Sequence, residues 1–162
     1  MPVIPLIDSN DKNEIYDHID EQLKILVAEE RDYIANLANF SSLLGMLLKD
    51  INWVGFYLFK GDELVLGPFY GKPAVSRIAI GDGVCGSAIL NKTNHVVPKV
   101  CDFPGHITCD IVSQSEIVIR FFKGDTLLGV LDIDSPSLNR FDEEDEKRLS
   151  QLLEILVAAS MI

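Results

Sequence analysis

The sequence predicts an α+β domain, with antiparallel strands in the middle and helices packed against one face. Three observations carry that prediction. Apolar residues recur at helical spacing near both ends of the chain. The middle is rich in aromatic and β-branched residues punctuated by Gly-Asp turns, as hairpins are. Helices that flank a run of strands, instead of alternating with them, favour segregated layers over a parallel βαβ sheet.

The elements follow in order. Ser9 or Asn10 is placed to cap a first helix in which Ile15, Ile19, Leu23 and Leu26 share a face. Ile34, Leu37, Leu44, Leu47 and Leu48 continue the pattern, as a second helix or as one helix broken near residues 29–31. Residues 53–59 and 63–69 read as a hairpin across Lys60, Gly61 and Asp62. The glycine-rich stretch 81–86 opens a short helix over 84–90. Strands are expected at 95–100, 116–123 and 126–133, the last two joined by a Gly124-Asp125 turn. Residues 101–115 lack periodicity and form a long loop, of the kind that usually carries function. Asp142 caps a final helix whose first turns are acidic and whose stripe is Leu149, Leu152, Leu153, Leu156 and Ala159.

Composition bounds the rest. With 162 residues, 48% hydrophobic and 24% charged, the chain reads as one globular domain over 1–162. It divides into a helical segment (1–50), a sheet with active-site loops (51–136) and a C-terminal helix (142–162). Fourteen basic against 25 acidic residues leave a net charge of −11, which argues against a nucleic-acid binder. No apolar run approaches the roughly 20 residues that span a bilayer. The start, MPVIPLIDSNDKNE, has no basic leader, so a cytoplasmic location is expected. Three cysteines are too few for a disulfide scaffold, and three histidines without a CxxC argue against a structural zinc site. Neither a cofactor nor a metal is expected.

Three groups of residues are candidates for chemistry. An isolated cysteine is ordinarily a small buried hydrophobe. Cys109 departs from that pattern, because it stands among Pro104, Gly105, His106, Thr108 and Asp110, where a protonated His106 would lower its pKa. The second group is acidic: Glu116 opens one strand, and alternation puts Asp132 and Asp134 on one face of another, with Ile133 opposite. Side-by-side carboxylates are held together by a cation, a shared proton or a donor-rich ligand. Solvent-facing aspartates leading into the Ser135-Pro136 turn explain the spacing equally well. Trp53 and Tyr57 also share a strand face, either as an apolar wall for a small ligand or as core packing.

A set of blocks then occurs in order: NWVGFY (52–57), LGPF (66–69), GKPA (71–74), GVCG (83–86), FPGHI (103–107), CD (109–110), SQSEIV (113–118), GVLDIDSP (129–136) and RFD (140–142). From about residue 31 to 145 the chain strongly resembles the free methionine-(R)-sulfoxide reductases, which are single GAF domains. The resemblance implies a sheet of about six antiparallel strands and a homodimer, with the terminal helices as its interface. It also implies a thiol enzyme acting on free methionine-(R)-sulfoxide, with electrons supplied finally by thioredoxin or another thiol. By the same resemblance Cys109 is the catalytic cysteine and Cys85 a second family cysteine. Trp53, Tyr57, Glu116, Asp132 and Asp134 are then the expected substrate site, with the three acids also serving in catalysis. The usual resolving cysteine follows GKPA, where this chain has Val75. Cys101 stands where relatives usually have histidine, and Arg120 where they have proline. Cys101 and Cys85 are therefore the candidate resolving thiols. The missing cysteine leaves one rival expectation, a non-catalytic small-molecule-binding GAF module.

Overall fold

The computed structural model describes residues 3–105 and 111–162. Six antiparallel strands form one sheet in the order β3-β2-β1-β6-β5-β4. They are β1 (Trp53–Lys60), β2 (Glu63–Tyr70), β3 (Arg77–Ala79), β4 (His95–Val97), β5 (Ser115–Lys123) and β6 (Thr126–Ser135). Helices α1 (Lys12–Leu26), α2 (Tyr33–Leu47) and α4 (Glu143–Ala159) contribute to the core on one face, and the short α3 (Gly83–Leu90) packs on the other. Among the described residues, no helix is long and apolar enough to cross a membrane.

Strand alternation builds two cores. Val54, Phe56, Ile117, Ile119, Phe121, Leu131 and Ile133 point to the three large helices. Trp53, Tyr57, Val118 and Val130 point the other way, towards Val84, Cys85 and Ala88 of α3. The hairpin between β1 and β2 closes through Gly61, whose φ of 74° suits the left-handed turn position. Gly129 meets a stricter demand: a Cβ there would lie 2.1 Å from the Tyr57 carbonyl, so only glycine lets β6 pair with β1 at that point.

Helix α1 is capped by Asp11, not by Ser9 or Asn10; its carboxylate accepts from the N–H groups of Asn13 and Glu14. The helical region is two helices, separated over residues 27–32. Ile34 faces solvent at 50% exposure, because it lies on the outer side of the first turn of α2. Asp142 does cap α4, in a reciprocal box with Asp145. Asp145 is fully buried and accepts from Tyr16 Oη at 2.8 Å and Lys12 Nζ at 2.7 Å, tying α1 to α4.

Two strand boundaries differ from the expectation by more than one residue, for physical reasons. β4 stops at Val97, since Pro98 has no N–H to continue a ladder, and Val100–Asp102 turns into a single 3-10 helix. β6 runs on through Asp134 to Ser135, still paired with Glu116 and Ser115 of β5. The three-residue β3 carried too little pattern to be foreseen; it pairs with Glu63–Val65 at the far edge.

Candidate active site

The polar residues of interest converge on the α3 face of the sheet. Strand register fixes their rows. Trp53 of β1, Asp134 of β6 and Glu116 of β5 are direct cross-strand partners in one row. Gly55, Asp132 and Val118 form the adjacent row. Asp132 and Asp134 therefore share a face, as their spacing requires, with Ile133 in the core behind them.

These acids are not solvent-facing. Glu116 and Asp134 are each 6% exposed and Asp132 5%. Taking carboxylates out of water favours their protonated forms. Burial pushes the Glu116 carboxyl well above its usual range, and the charge of Asp134 adds to this. Asp132 is pushed up likewise, by burial and then by Glu116. Asp132 interacts with both Glu116 and the Cys85 thiol, while its Oδ1 is buried without a hydrogen-bond partner.

Cys85 comes from the first turn of α3, which the Gly81–Gly86 stretch lays against β5. Its thiol is 3% exposed and is pushed well above the usual thiol range, by burial first and then by Asp132, Glu116 and Asp134. A thiol in that setting stays protonated and is a poor nucleophile. Cys101 lies instead at the surface. It is exposed on the 3-10 turn, with Sγ 3.6 Å from Asp102 Oδ1. Its place is a helical turn and not an irregular loop.

The aromatic pair forms one wall. The rings of Trp53 and Tyr57 lie 6.0 Å apart and stack, and Phe69 also stacks on Trp53 at 5.5 Å. Both polar tips point into the 71–76 turn: Trp53 Nε1 donates to the Lys72 carbonyl and Tyr57 Oη to the Val75 carbonyl, each at 3.0 Å. Gly71 lets this turn approach, because a Cβ at that residue would sit 2.6 Å from the indole. The position of the missing cysteine is thus tied by its backbone to the wall, while the Val75 side chain is 37% exposed.

Tyr57, Ile78, Asp82, Cys85, Glu116 and Asp132 line a cavity of about 20 Å³ on this face. The segment between residues 100 and 114 has fixed feet. Val100 N–H donates to the Gln114 carbonyl, and Asn52 Nδ2 donates to Ser113 Oγ at 3.0 Å. Cys109 and His106 lie between those feet and outside the described residues. Cys85, expected as a second family cysteine, is brought into the acid cluster. Sequence reasoning missed one participant. Asn52 anchors the loop foot, a role with no local signal.

Fold and face together define a GAF-type α+β domain: a six-stranded antiparallel sheet, helices behind it, and a buried polar pocket under a short helix. Comparison with known proteins agrees. The GAF domain family matches residues 32–159. Protein YtsP of Bacillus subtilis is 50% identical over 153 residues, covering 93% of this chain and 94% of its own. The free methionine-R-sulfoxide reductase of Escherichia coli is 47% identical over 142 residues, covering 88% and 86%. The solved free methionine-R-sulfoxide reductase from Neisseria meningitidis, in complex with its substrate, is 42% identical. It superposes with a TM-score of 0.92 over 98% of this chain and 95% of that one. The chain belongs to the GAF-domain family, within the free methionine-R-sulfoxide reductase group.

Proposed function

We propose that this protein reduces free L-methionine-(R)-sulfoxide to methionine through a cysteine sulfenic acid. The observation that carries the proposal is the buried trio Glu116, Asp132 and Asp134, on the same face as Trp53 and Tyr57, in a member of this family. A sulfoxide oxygen is a weak leaving group and departs only once protonated. Burial raises the pKa of both Glu116 and Asp132, with Asp134 adding to the first and Glu116 to the second, which suits them to donate that proton. In this reading the Cys109 thiolate attacks the sulfoxide sulfur, a carboxyl protonates the oxygen, and the oxygen passes to Cys109. Methionine leaves and Cys109 is left as sulfenic acid.

The ammonium group of the substrate is assigned to the remaining carboxylates, and its S-methyl to the Trp53–Tyr57 wall. Gripping a free ammonium excludes residues within a peptide, whose neutral amide would leave buried charge unpaired. A second thiol then condenses with the sulfenic acid, and thioredoxin or a small thiol opens the disulfide. With Val75 in the usual resolving position, the exposed Cys101 is favoured over Cys85, whose buried protonated thiol reacts slowly. We assign the working unit as the whole chain, 1–162, in the cytoplasm and as a homodimer; light scattering in solution tests the last point.

The test is turnover of free methionine-(R)-sulfoxide with dithiothreitol and then thioredoxin, using the (S)-epimer and the N-acetylated (R)-sulfoxide as controls. Reduction of the free (R)-epimer alone is expected. Binding without turnover would instead favour a non-catalytic small-molecule module, the reading that Val75 supports.

A further inference from the structure

We propose that the Cys85 thiol and the Glu116 and Asp132 carboxylates form a site for a thiophilic divalent cation of the Zn²⁺ type, whose binding blocks the pocket. The three donors come from α3, β5 and β6, and one ligand atom of each lies within 4.8 Å of the other two. A tetrahedral Zn²⁺ holds S at about 2.3 Å and O at about 2.0–2.2 Å, which places its ligands roughly 3.3–3.8 Å apart.

A second observation points to a ligand here. Asp132 Oδ1 lines this pocket without a partner, on a side chain that is only 5% exposed. An orphaned carboxylate oxygen at such depth calls for a donor or a cation. Size selects between candidates. The cavity of about 20 Å³ has room for a single ion or water between these side chains. Charge agrees, because a dication offsets the negative charge that the two carboxyls and the thiol take on when they give up their protons.

The donor set also selects the metal. A thiolate ligand favours Zn²⁺ or Cd²⁺ over Mg²⁺ and Ca²⁺, which require oxygen and more ligands. On binding, the protons held by the three groups pass to solvent and metal–sulfur and metal–oxygen bonds replace them, with no change of oxidation state. The blocking half of the proposal rests on the reductase reading, since it takes the carboxylates assigned to the substrate ammonium. The binding half stands on geometry alone.

The probe is Co²⁺, whose bond to thiolate gives a charge-transfer absorption band. A Cys101→Ser/Cys109→Ser protein keeps Cys85 as its single thiol. It should show the band at one equivalent of Co²⁺, lose it on adding Zn²⁺ or a chelator, and keep it in excess Mg²⁺. Adding Cys85→Ser should abolish the band, and adding Asp132→Asn or Glu116→Gln should weaken Co²⁺ binding at least ten-fold. The absence of a band in the parent, or unchanged affinity in both carboxyl variants, overturns the site. For the blocking half, Zn²⁺ should raise KM for the sulfoxide in wild-type protein, reversibly with chelator. Cobalt binding with turnover insensitive to Zn²⁺ overturns that half. Absence of turnover in untreated protein counts against the reductase reading and leaves the cobalt titration decisive for the site.

Discussion

At the residue scale, environment separates Cys85 from Cys101. Cys85 is buried among carboxyls and Cys101 is exposed beside Asp102. Cys109 is the expected nucleophile, and Cys109→Ser should abolish reduction of the (R)-epimer in a steady-state assay, whereas Cys85→Ser should retain measurable chemistry. The acids carry a pH signature. A carboxyl that donates a proton serves only below its own pKa, so kcat/KM should fall as pH rises through the raised pKa of the Glu116–Asp132 pair. Glu116→Gln should lower kcat/KM by about ten-fold or more and alter that alkaline limb in a pH–rate profile. Spacing alone told that Asp132 and Asp134 share a face. It did not tell which face was covered, because burial there depends on α3, an element formed 50 residues away in the chain.

At the element scale, much of the fold was legible. The apolar stripe of α4, its Asp142 cap and the β1–β2 hairpin all stand as their local patterns predict. Less legible were features set by distant partners: the end of β4, the three-residue β3, and the α1–α4 link through Asp145. That link is testable. Asp145→Ala leaves Tyr16, Lys12 and Arg140 without their shared acceptor and should cost about 3 kcal/mol in urea denaturation. Gly129→Ala forces β6 away from the Tyr57 carbonyl and should lower stability and disturb the aromatic wall together. Thermal melts combined with tryptophan fluorescence report both effects.

At the scale of the whole molecule, the pocket sets stability against function. The raised Glu116 and Asp132 carboxyls bind protons more tightly folded than unfolded. Their contribution is therefore least unfavourable below the unfolded values near 4, and stability is lost as pH rises towards the raised folded values. Asp132→Asn should accordingly raise Tm near neutral pH, by about 2–4 °C for each kcal/mol relieved, with the gain shrinking as pH falls towards 4. Calorimetry across that range checks the sign. The sequence-level resemblance reached the chemistry through its motif blocks, but it could not tell that Val75 keeps its backbone bond to Tyr57 while offering no thiol. The central claim is that the reduced protein itself takes oxygen from the free (R)-sulfoxide. A single-turnover assay tests it most directly: prereduced protein, freed of all reductant, is mixed with excess methionine-(R)-sulfoxide and the methionine formed is counted. The account predicts about one methionine per chain, none from the (S)-epimer and none from Cys109→Ser; no methionine from wild-type protein, or an equal yield from Cys109→Ser, would contradict it.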